Sequence, residues 1–439
     1  MYGFLCLPLG GSRRFDGCRS SCQRRRHAVK CSEAKYGDYD VRLLRGIDEV
    51  DADEWNALVG ESGSPFLEHE WIRCMEKSSC ASEKSGWYPR HLTAKMDGKL
   101  VAAAPLYIKT NSLGEFVFDQ SWAEAAYGSG IQYYPKLLCG IPFTPATGRR
   151  LLTHPDEDRQ ELLGFLAYRL LSLTSESNGV SSLHVNFCED DEVIALKKTG
   201  FLHRKGIQYH FVNEDERRNP LFNSFDEYLG SMKSKRRIKV KRERRSIYED
   251  AGLTLKAFFG DEIEDEMFPT MFRIYQSTIQ ARVFWGIQHL NEEFFMMLKE
   301  KFRKNLCFIV AMKGDEVVAG TFNVVKAGKF YGRYWGTFDS SIKNLHFETC
   351  YYKPIEVCCD HGILRMEPGA GGDDFKFVRG FNPSVTNSMH FCKNGGLHMA
   401  IARYLNSEGT YIEGAVDEMN ERSVLRMPSN AGAVEPPEL

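Results

Sequence analysis

The chain has 439 residues, of which 43% are hydrophobic and 26% charged, and its formal net charge is −2. At about 100–200 residues per domain, this length predicts two to three domains. The composition is that of a globular protein and excludes a largely disordered, collagen-like or coiled-coil chain. No window approaches the ~18 uncharged apolar residues of a membrane-spanning helix, which argues against an integral membrane protein.

The first 31 residues differ in charge from the rest of the chain. They contain seven basic residues and a single acid, Asp16, so this leader carries +6 and the remainder −8. A segment rich in Arg and Ser and poor in acids is typical of an organelle transit peptide. Val29-Lys30-Cys31 before Ser32 resembles a stromal processing site, so residues 1–31 are predicted to direct the protein to the chloroplast stroma rather than the mitochondrion. A basic tail without a targeting function is the alternative.

The thirteen cysteines show no pattern of a disulfide framework or a zinc site. Four lie in the first 31 residues and nine are scattered from Cys74 to Cys392, without a CxxC pair or a histidine at zinc spacing. We therefore expect reduced, mostly buried thiols and no metal. Because HExxH and GxSxG motifs are also absent from the sequence, it gives no support to a metalloprotease or a serine hydrolase.

Helices and strands alternate in the first half of the chain. The predicted elements are a strand at 41–44, helices at 52–58 and from 64, strands at 90–94 and 100–108, a helix at 156–173, a strand at 182–187, a helix at 190–198 and a strand at 208–212. Asp97-Gly98 between two β-rich runs is a strong hairpin signal. Residues 109–150 show little periodicity and many aromatics, which predicts an irregular functional segment.

The second half repeats this order. Its predicted elements are a helix from 225 that carries a basic run, helices at 264–281 and 294–302, strands at 306–311, 317–325 and 329–336, a helix at 346–359 and a strand at 364–367. The order helix, hairpin, strand, helix, strand recurs, which predicts a tandem duplication. Residues 427–439, rich in Pro, Gly, Ser and Glu, are predicted to form a disordered tail.

The most concentrated charge lies at Lys233–Arg245, with nine basic residues and one acid. On a helix, Lys233, Arg237, Lys241 and Arg244 form one stripe, with Ile238 on the buried side. Such a stripe attracts polyanions, and CoA phosphates, tRNA and an anionic membrane surface are the candidates. A solvated helix face without a partner is the alternative.

Tyr331–Gly336, followed by a short loop and a predicted helix, forms the first candidate site. The end of a strand and the start of a helix place backbone N–H groups at one spot, which suits a pyrophosphate or a developing oxyanion. His346 is a candidate general base, and a capping or packing histidine is its alternative. Glu348 is a second candidate base, or complements the helix dipole.

A glycine-rich loop after the last predicted strand forms the second candidate site. Gly369 and Gly372 allow close approach of backbone to a ligand. Lys376 and Arg379, three residues apart, are placed to clamp a phosphate or carboxylate. The loop lacks the Walker lysine and does not open a Rossmann unit.

Many short stretches together resemble the predicted N-acyltransferases of the GNAT superfamily related to FemAB, often labelled peptidoglycan biosynthesis or recognition proteins. The resemblance covers roughly residues 40–415. The stretches that carry it are Pro65–Leu67 with His69, Gly86–Leu92, Pro105–Lys109, Gly114–Asp119, Ser121–Ala123, Tyr133–Leu137, Pro142–Pro145, the basic run, Tyr331–Gly336, Leu345–Glu348 with Cys350–Tyr352, and Glu367 with Gly369-Ala370, Gly372, Lys376, Arg379 and Gly380.

The resemblance implies an α/β fold with two tandem GNAT-like domains, at 39–212 and 213–415. It implies transfer of an acyl group from a thioester or ester donor to a small-molecule amine. Relatives named for peptidoglycan use aminoacyl-tRNA, whereas the wider superfamily uses acyl-CoA. The glycine-rich pyrophosphate loop of that superfamily is absent before His346, where Ser340–Asn344 stands instead, so acyl-CoA and aminoacyl-tRNA both remain possible donors.

We expect a direct attack of the amine on the acyl carbonyl. The expected roles are a base at His346 or Glu348, an acid at Tyr331 or Tyr334, an amine-orienting carboxylate at Asp119, and cofactor contacts at Arg333, Gly336, Gly369, Gly372, Lys376 and Arg379. A tRNA-dependent aminoacyl transferase and a non-catalytic module that binds a glycan, a lipid headgroup or RNA are the alternatives. The sequence does not indicate an oligomeric state.

Overall fold

The computed structural model of this chain describes residues 38–176, 179–281, 287–371 and 373–426. The predicted transit peptide, the predicted tail and Gly372 lie outside these residues. The strands are β1 (Asp40–Leu44), β2 (Trp87–Pro89), β3 (His91–Met96), β4 (Lys99–Ala104), β5 (Leu106–Lys109), β6 (Lys136–Cys139), β7 (Leu152–Thr153), β8 (Ser182–Cys188), β9 (Leu202–Val212), β10 (Thr254–Phe259), β11 (Leu306–Lys313), β12 (Glu316–Lys326), β13 (Lys329–Thr337), β14 (Arg365–Glu367) and β15 (Asn382–Cys392).

The helices lie between these strands and at the C-terminal end of the described chain. They are α1 (Ala52–Val59), α2 (His69–Lys77), α3 (Gln120–Gly128), α4 (Arg159–Glu176), α5 (Asp190–Lys198), α6 (Phe225–Ser231), α7 (Ser234–Arg245), α8 (Met267–Ala281), α9 (Glu292–Lys301), α10 (Leu345–Phe347), α11 (Lys353–Asp360), α12 (Asp373–Phe377) and α13 (Gly395–Glu421). A π-helical turn, Glu348–Tyr352, joins α10 to α11 without a break. The expected mixed α/β fold class is confirmed.

Eleven strands form one continuous sheet, in the order β10-β11-β12-β13-β14-β9-β15-β8-β6-β5-β2. The pairs β13–β14 and β6–β8 are parallel, and the other neighbours are antiparallel. A smaller sheet has the order β1-β3-β4-β7. The parallel pairs are each bridged by helical segments, α4 in the first half and α10 to α11 in the second, as a parallel connection requires.

The two halves of the large sheet exchange a strand. In each half the parallel pair is followed by a short helix and an 11-residue strand, β9 or β15. β9 of the first half lies beside β14 of the second, and β15 of the second half lies beside β8 of the first. The predicted boundary at 212/213 therefore falls inside one continuous sheet, and the division into two domains stays a prediction.

Both predicted hairpins are confirmed. Asp97 and Gly98 join β3 to β4 with positive φ angles of 51° and 82°, as the tight hairpin turn requires. The second hairpin joins β11 to β12 around Gly314, at a φ of 61°. The predicted strand 100–108 is interrupted at Pro105, which has no N–H to donate to a ladder, so its two parts, β4 and β5, belong to different sheets.

The basic run does not continue the helix that begins at Phe225. Met232 pairs with Leu425 as an isolated bridge, and the N–H of Lys233 donates to Val424 O. The helix is therefore divided into α6 and α7. The buried side of α7 is marked by Val240, whereas Ile238 is 68% exposed, so the expectation that Ile238 faces the core is wrong.

The cysteine prediction is confirmed for the described part of the chain. All nine cysteines from Cys74 to Cys392 are free, and only Cys350 is not fully buried. The adjacent Cys358 and Cys359 lie in the core of the second half. They fill space as small apolar side chains.

Close packing of β13 on α8 fixes the strand on which the candidate site is built. A Cβ at Gly336 would lie 1.7 Å from Ile274 O and 2.7 Å from Ser277 Oγ. Helix α8 therefore approaches β13 to a distance that only glycine allows. Gly336, expected as a cofactor contact, is a packing residue in this structure.

We predict that Gly336→Ala lowers the free energy of unfolding by more than ~2 kcal/mol, because backbone and not a flexible side chain must move. Gly409→Ala is the matched control, since nothing lies within 4 Å of its added Cβ on α13. Gly409→Ala should leave the free energy of unfolding unchanged or raise it by up to ~1 kcal/mol. Urea denaturation of both variants measures the difference, and equal stability would contradict the close packing.

Candidate functional site

The candidate site lies where the parallel strands β13 and β14 separate. They pair over only three positions, the last being Tyr331 with Glu367. Beyond it β13 continues to Thr337, while the other strand turns into the glycine-rich loop. A cavity of about 570 Å³ occupies this divergence, and it is lined by Phe116, Pro145, Tyr275, Thr278, Ile279, Ile287, His289, Thr321, Asn323, Gly332, Arg333, Tyr334, Trp335, His346, Cys350, Tyr351, Pro368, Gly369, Ala370, Gly371, Phe375 and Lys376.

A β-bulge in β13 shapes the wall of the cavity. Phe322 of β12 pairs with Tyr334, but the next residue, Asn323, pairs with Gly332. Arg333 is therefore the extra residue of the bulge, without a partner of its own on β12. Bulges of this kind redirect side chains, and here Arg333, Tyr334 and Trp335 all line the cavity.

These three consecutive residues carry hydrogen-bond donors that the described protein does not use. Arg333 Nε, Tyr334 Oη and Trp335 Nε1 are all buried and have no hydrogen-bond partner among the described residues. Burial of a donor without an acceptor costs roughly 1–3 kcal/mol. All three donors lie beside one cavity, where acceptor atoms of a bound molecule would satisfy them.

One wall of the cavity is formed by α8 and the segment before α9. Tyr275 Oη accepts hydrogen bonds from the backbone N–H groups of His289 at 2.9 Å and Leu290 at 3.1 Å. The ring of His289 stacks on Phe143 of the first half at 4.5 Å. Burial, with a smaller contribution from Lys109, lowers the pKa of His289 to about 4. The imidazole is therefore neutral at neutral pH.

The opposite wall combines α10, the π-helical turn and the glycine-rich loop. The ring of His346 contacts Trp335 at 4.9 Å and Tyr351 at 5.4 Å, both edge to face. Gly369 and Gly371 have positive φ angles of 92° and 79°, which suit glycine alone. Lys376 Nζ donates to Gly369 O and holds this loop. The structure thus brings together His346 of the first candidate site and Gly369 and Lys376 of the second.

Glu348 does not line the cavity but lies in an ion-pair cluster behind it. Its Oε1 accepts from Arg244 Nε at 3.1 Å and from Tyr248 Oη at 2.9 Å. Arg244 also donates to Glu356. Burial raises the pKa of Glu348, although Arg244 and Tyr248 act in the opposite direction. Arg244, predicted as an anion contact, is therefore already paired within the protein, and Glu348 is placed as its counter-ion.

A second ion pair ties α7 to the segment after the glycine-rich loop. Arg379 Nη2 donates to Glu243 Oε2 at 3.0 Å, and Tyr352 Oη donates to the same oxygen at 2.5 Å. The guanidinium of Arg379 also lies 3.4 Å over the ring of Phe347. Arg379 therefore fixes the helix that carries His346, and does not clamp a ligand together with Lys376.

The remaining predicted site residues lie elsewhere. Tyr331 is buried against Phe66, at a ring distance of 5.0 Å. Asp119 lies in the first half, where it accepts from Lys136 Nζ at 2.5 Å and Tyr133 Oη at 2.7 Å. Neither lines the cavity. Of the other three members of the predicted stripe, Lys233 directly precedes α7, and Arg237 and Lys241 lie on it; Lys233 and Lys241 are exposed.

The corresponding divergence in the first half is closed by Arg150. Strands β6 and β8 pair over three positions, ending at Cys139. Arg150 then bridges the separating segments: Nε donates to Asn186 O at 2.8 Å, and its Nη1 and Nη2 donate to Gly148 O at 2.9 Å and Ala146 O at 2.6 Å. A fully bonded side chain thus takes the position that the cavity takes in the second half.

Sequence reasoning missed Tyr275 and His289, which line the cavity from outside every recognised motif. It also missed Thr321 and Asn323, both 2% exposed on β12. For this pair a signal exists, because polar residues inside an apolar strand pattern are expected to have a specific partner. Asn323 Nδ2 indeed donates to Cys307 O and to Thr321 Oγ1.

The described residues also define what the site lacks. Within 38–176, 179–281, 287–371 and 373–426, no group of three or more His, Cys, Asp or Glu side chains is arranged to hold a metal ion. In the same ranges no helix combines the length and hydropathy needed to span a bilayer.

The fold and the cavity define a mixed α/β protein with a ligand-sized opening between two parallel strands. Residues 46–427 match the model of the FemAB-like family, described as peptidoglycan biosynthesis/recognition. The chain belongs to this family. At the level of the family, the expected transferase of acyl or aminoacyl groups is confirmed.

Solved structures resemble the chain only distantly. FemX is 12% identical over 80% of this chain and 98% of its own, with a TM-score of 0.48. The C-terminal domain of a putative lysylphosphatidylglycerol synthetase from Agrobacterium fabrum is 8% identical over 83% and 96%, with a TM-score of 0.49. A tandem GNAT protein of the clavulanic acid pathway is 10% identical over 81% and 98%, with a TM-score of 0.36. No curated protein matches the chain.

The ion pair between Arg244 and Glu348 gives a pH-dependent prediction. Replacing Arg244 by Met leaves a buried carboxylate without its counter-charge, which costs ~3–5 kcal/mol. Because the folded-state pKa of Glu348 already lies above its unfolded value, its contribution is present at low pH and is lost as the pH rises through the folded-state pKa.

We therefore expect the destabilisation by Arg244→Met to be larger at about pH 8 than at about pH 5, measured by denaturant unfolding at each pH. The double variant Arg244→Met/Glu348→Gln is the control, and it should show a smaller difference between the two pH values, which comes from Glu356, the other carboxylate that Arg244 pairs with. A pH-independent loss in the single variant would show that Glu348 is not charged in the folded protein.

Proposed function

We propose that the chain transfers an acyl group from a thioester or ester donor to an amine, and that the reaction takes place in the cavity between β13 and β14. The observation that carries this proposal is the set of buried, unused donors at Arg333, Tyr334 and Trp335. Acyl transfer to nitrogen passes through a tetrahedral oxyanion, and donors fixed in a dry site are the main means of stabilising it.

The chemistry follows from the groups on the two walls. The nitrogen lone pair of the acceptor attacks the acyl carbonyl carbon, and the carbonyl electrons move to the oxygen. Donors at the β13 bulge stabilise this oxyanion. His346 takes the proton from the nitrogen, the bond to the donor's sulfur or oxygen breaks, and Tyr334 protonates the leaving group.

The positions of the candidate bases in the structure support His346. Glu348 is paired with Arg244 behind the wall, and Asp119 is paired with Lys136 in the first half. Two histidines line the cavity, but a pKa of about 4 makes His289 a weak base at neutral pH. His346 is therefore the proposed base, and Tyr331, which packs on Phe66 away from the cavity, gives way to Tyr334 as the proposed acid.

The two substrates are proposed to enter from opposite faces of the sheet. On the His346 side, the helix that starts at Leu345 and the Gly369–Gly371 loop present backbone groups, which favour an anionic donor such as acyl-CoA. On the other side, Tyr275, Tyr334 and His289 surround the opening together with first-half residues such as Pro145. This face is proposed to receive the acceptor.

A second candidate function rests on the outer side of α7. Lys235, Lys239, Lys241, Arg242 and Arg245 are all exposed there. An array of this kind favours a polyanion, either tRNA as an aminoacyl donor or an anionic membrane surface, and is compatible with a binding module that has no catalytic activity.

We predict that His346→Ala lowers kcat/KM about 10²- to 10⁴-fold, the usual contribution of a general base. Tyr334→Phe removes one hydroxyl and should lower kcat more than it changes KM, because the hydroxyl acts in the transition state. His361→Ala, at an exposed histidine, is the matched control. Steady-state acyl-transfer assays measure these effects. Near-normal turnover of His346→Ala would show that His346 is not the general base.

The donor is identified by ligand stabilisation. Acetyl-CoA, a long-chain acyl-CoA and an aminoacyl-tRNA are compared by thermal shift, because a ligand that binds only the folded state raises its Tm. If tRNA is the donor, charge reversal at Lys235, Lys239, Arg242 and Arg245 abolishes its effect and its salt dependence. If acyl-CoA is the donor, the same variant keeps the shift.

Retention of the wild type on RNA or anionic vesicles without any acyl transfer favours the binding module.

Delivery to the chloroplast stroma remains part of the proposal, on the composition of residues 1–31. A fluorescent protein fused behind residues 1–40 tests it in plant cells. Plastid fluorescence is expected, and cytosolic or mitochondrial fluorescence contradicts it.

A further inference from the structure

Helix α7 exposes an isoleucine at the centre of a basic face. Ile238 is 68% exposed, and the helical repeat places Lys235, Lys241, Arg242 and Arg245 within about 60° of it around the helix axis. All four basic side chains are exposed, and none of them forms an ion pair with a carboxylate of the described residues. We refer to these five residues as the cationic α7 face.

The opposite side of the helix fixes the direction in which this face points. Val240 and Glu243 are buried, and Arg244 Nε donates to Glu348 Oε1 at 3.1 Å. Turning Ile238 toward the core would break this ion pair and bury unpaired cations, which is costly. The cationic α7 face is therefore preformed, and docking onto a partner requires no ordering of the helix.

An exposed isoleucine on α5 provides a comparison, because single exposed apolar side chains are common on protein surfaces. Ile194 is 54% exposed, and its neighbours at similar helical spacing are Asp190, Asp191, Lys197 and Lys198. Two acids and two bases leave that face without net charge, whereas the cationic α7 face has four positive charges and no acid. Like charges on one helix face repel one another, and an anionic partner removes this cost.

We propose that the cationic α7 face docks onto an anionic membrane surface, an inference that rests on the second candidate function and names its partner. Ile238 enters the boundary between headgroups and acyl chains, and the four cations contact lipid phosphates around it. Apolar side chains of interfacial helices are buried in this way while Lys and Arg stay at the headgroups. Clusters of about four to eight cations on a helix are typical of surfaces that bind anionic lipids.

The isoleucine at the centre of the face favours a membrane over RNA. Cations bind the phosphates of either partner, but RNA bases stack on aromatic side chains, and the cationic α7 face contains none. A bilayer, by contrast, accepts an aliphatic side chain just below the level of its phosphates. A single docking event then buries Ile238 and neutralises the cations around it.

Fluorescence quenching by brominated lipid tests the central contact. Ile238→Trp and Ile194→Trp each add one indole to the full chain, the first on the cationic α7 face and the second on the matched face of α5. The vesicles contain phosphatidylglycerol and phosphatidylcholine with brominated acyl chains. We expect quenching of the added fluorescence in Ile238→Trp and none in Ile194→Trp. Equal responses would refute the inference, including the case in which the basic leader, common to both variants, binds the vesicles.

Vesicle sedimentation separates the charged contribution from the apolar one. Each cation near an anionic surface raises the partition coefficient about fivefold, so replacing all four by glutamine should lower it about 10²-fold or more at low salt. Ile238→Ala should lower it about 3- to 10-fold at low and high salt, because salt does not screen hydrophobic burial. Ile194→Ala is the matched control and should bind like the wild type. No loss in either α7 variant, with Tm unchanged, would contradict the inference.

A tRNA arm distinguishes the two kinds of polyanion. Ile238→Ala is expected to weaken binding to anionic vesicles and to leave retention on tRNA unchanged. If the wild type is retained on tRNA but binds anionic vesicles no better than vesicles of phosphatidylcholine alone, the second candidate function stands with RNA as its partner and the membrane inference is refuted.

The inference and the proposed reaction fail in different ways. Vesicle binding through the cationic α7 face, without acyl transfer from any donor, retains the docking surface and refutes the reaction. Acyl transfer in solution by a chain whose Ile238→Trp variant is not quenched on vesicles retains the reaction and refutes the docking surface.

Discussion

The early end of the pairing between β13 and β14 is the constraint on which the site depends. After Tyr331 and Glu367 the two strands separate, and a sheet that opens in this way exposes backbone and side-chain donors that require partners. The first half meets the same requirement internally, because Arg150 bridges the separating segments with four hydrogen bonds to backbone oxygens. In the second half a cavity occupies the corresponding position. The first half therefore fills this position with a bonded side chain, whereas the second half has a lined cavity there.

Charge pairs behind the cavity hold its walls in place. Helix α7 brings Glu243 and Arg244 against Arg379 and Glu348, so the basic run has an inner side that belongs to the core of the second half. These pairs fix the π-helical turn, which carries Cys350 and Tyr351 into the cavity wall. The first half also contacts the cavity wall, since Arg333 donates hydrogen bonds to Phe143 O and Thr144 Oγ1. The exchange of β9 and β15 between the halves makes this arrangement a single unit.

The sequence was sufficient where the controlling interactions are local. Asp97-Gly98 and Gly314 indicated both hairpins, because positive φ angles at a turn depend on residue type. His346, Gly369 and Lys376, which the sequence assigned to two candidate sites, line one opening in the structure. Sequence alone was insufficient where partners are distant in the chain. The spacing of the basic residues predicted that Arg244 belongs to an exposed stripe. In the structure Arg244 is paired with Glu348, which lies 104 residues away in the sequence.

The strand exchange and the environments of Arg379 and Arg333 could not be predicted from the sequence for the same reason. β9 and β15 pair across the halves, although nothing in either segment specifies which neighbour it takes. Arg379 and Arg333 both belong to stretches that carry the family resemblance, yet Arg379 is paired with Glu243, whereas Arg333 forms no ion pair with a carboxylate of the described residues. Only the three-dimensional environment separates a paired arginine from an unpaired one.

A crystal structure of the protein with a non-hydrolysable acyl-donor analogue and an amine acceptor tests the central claim most directly. The account predicts that the acyl carbonyl lies between Trp335 and the Gly369–Gly371 loop, with its oxygen at a hydrogen-bond distance of about 2.7–3.2 Å from a donor at the β13 bulge. A donor bound elsewhere, along α7 or in the first half, with only solvent between β13 and β14, would contradict it.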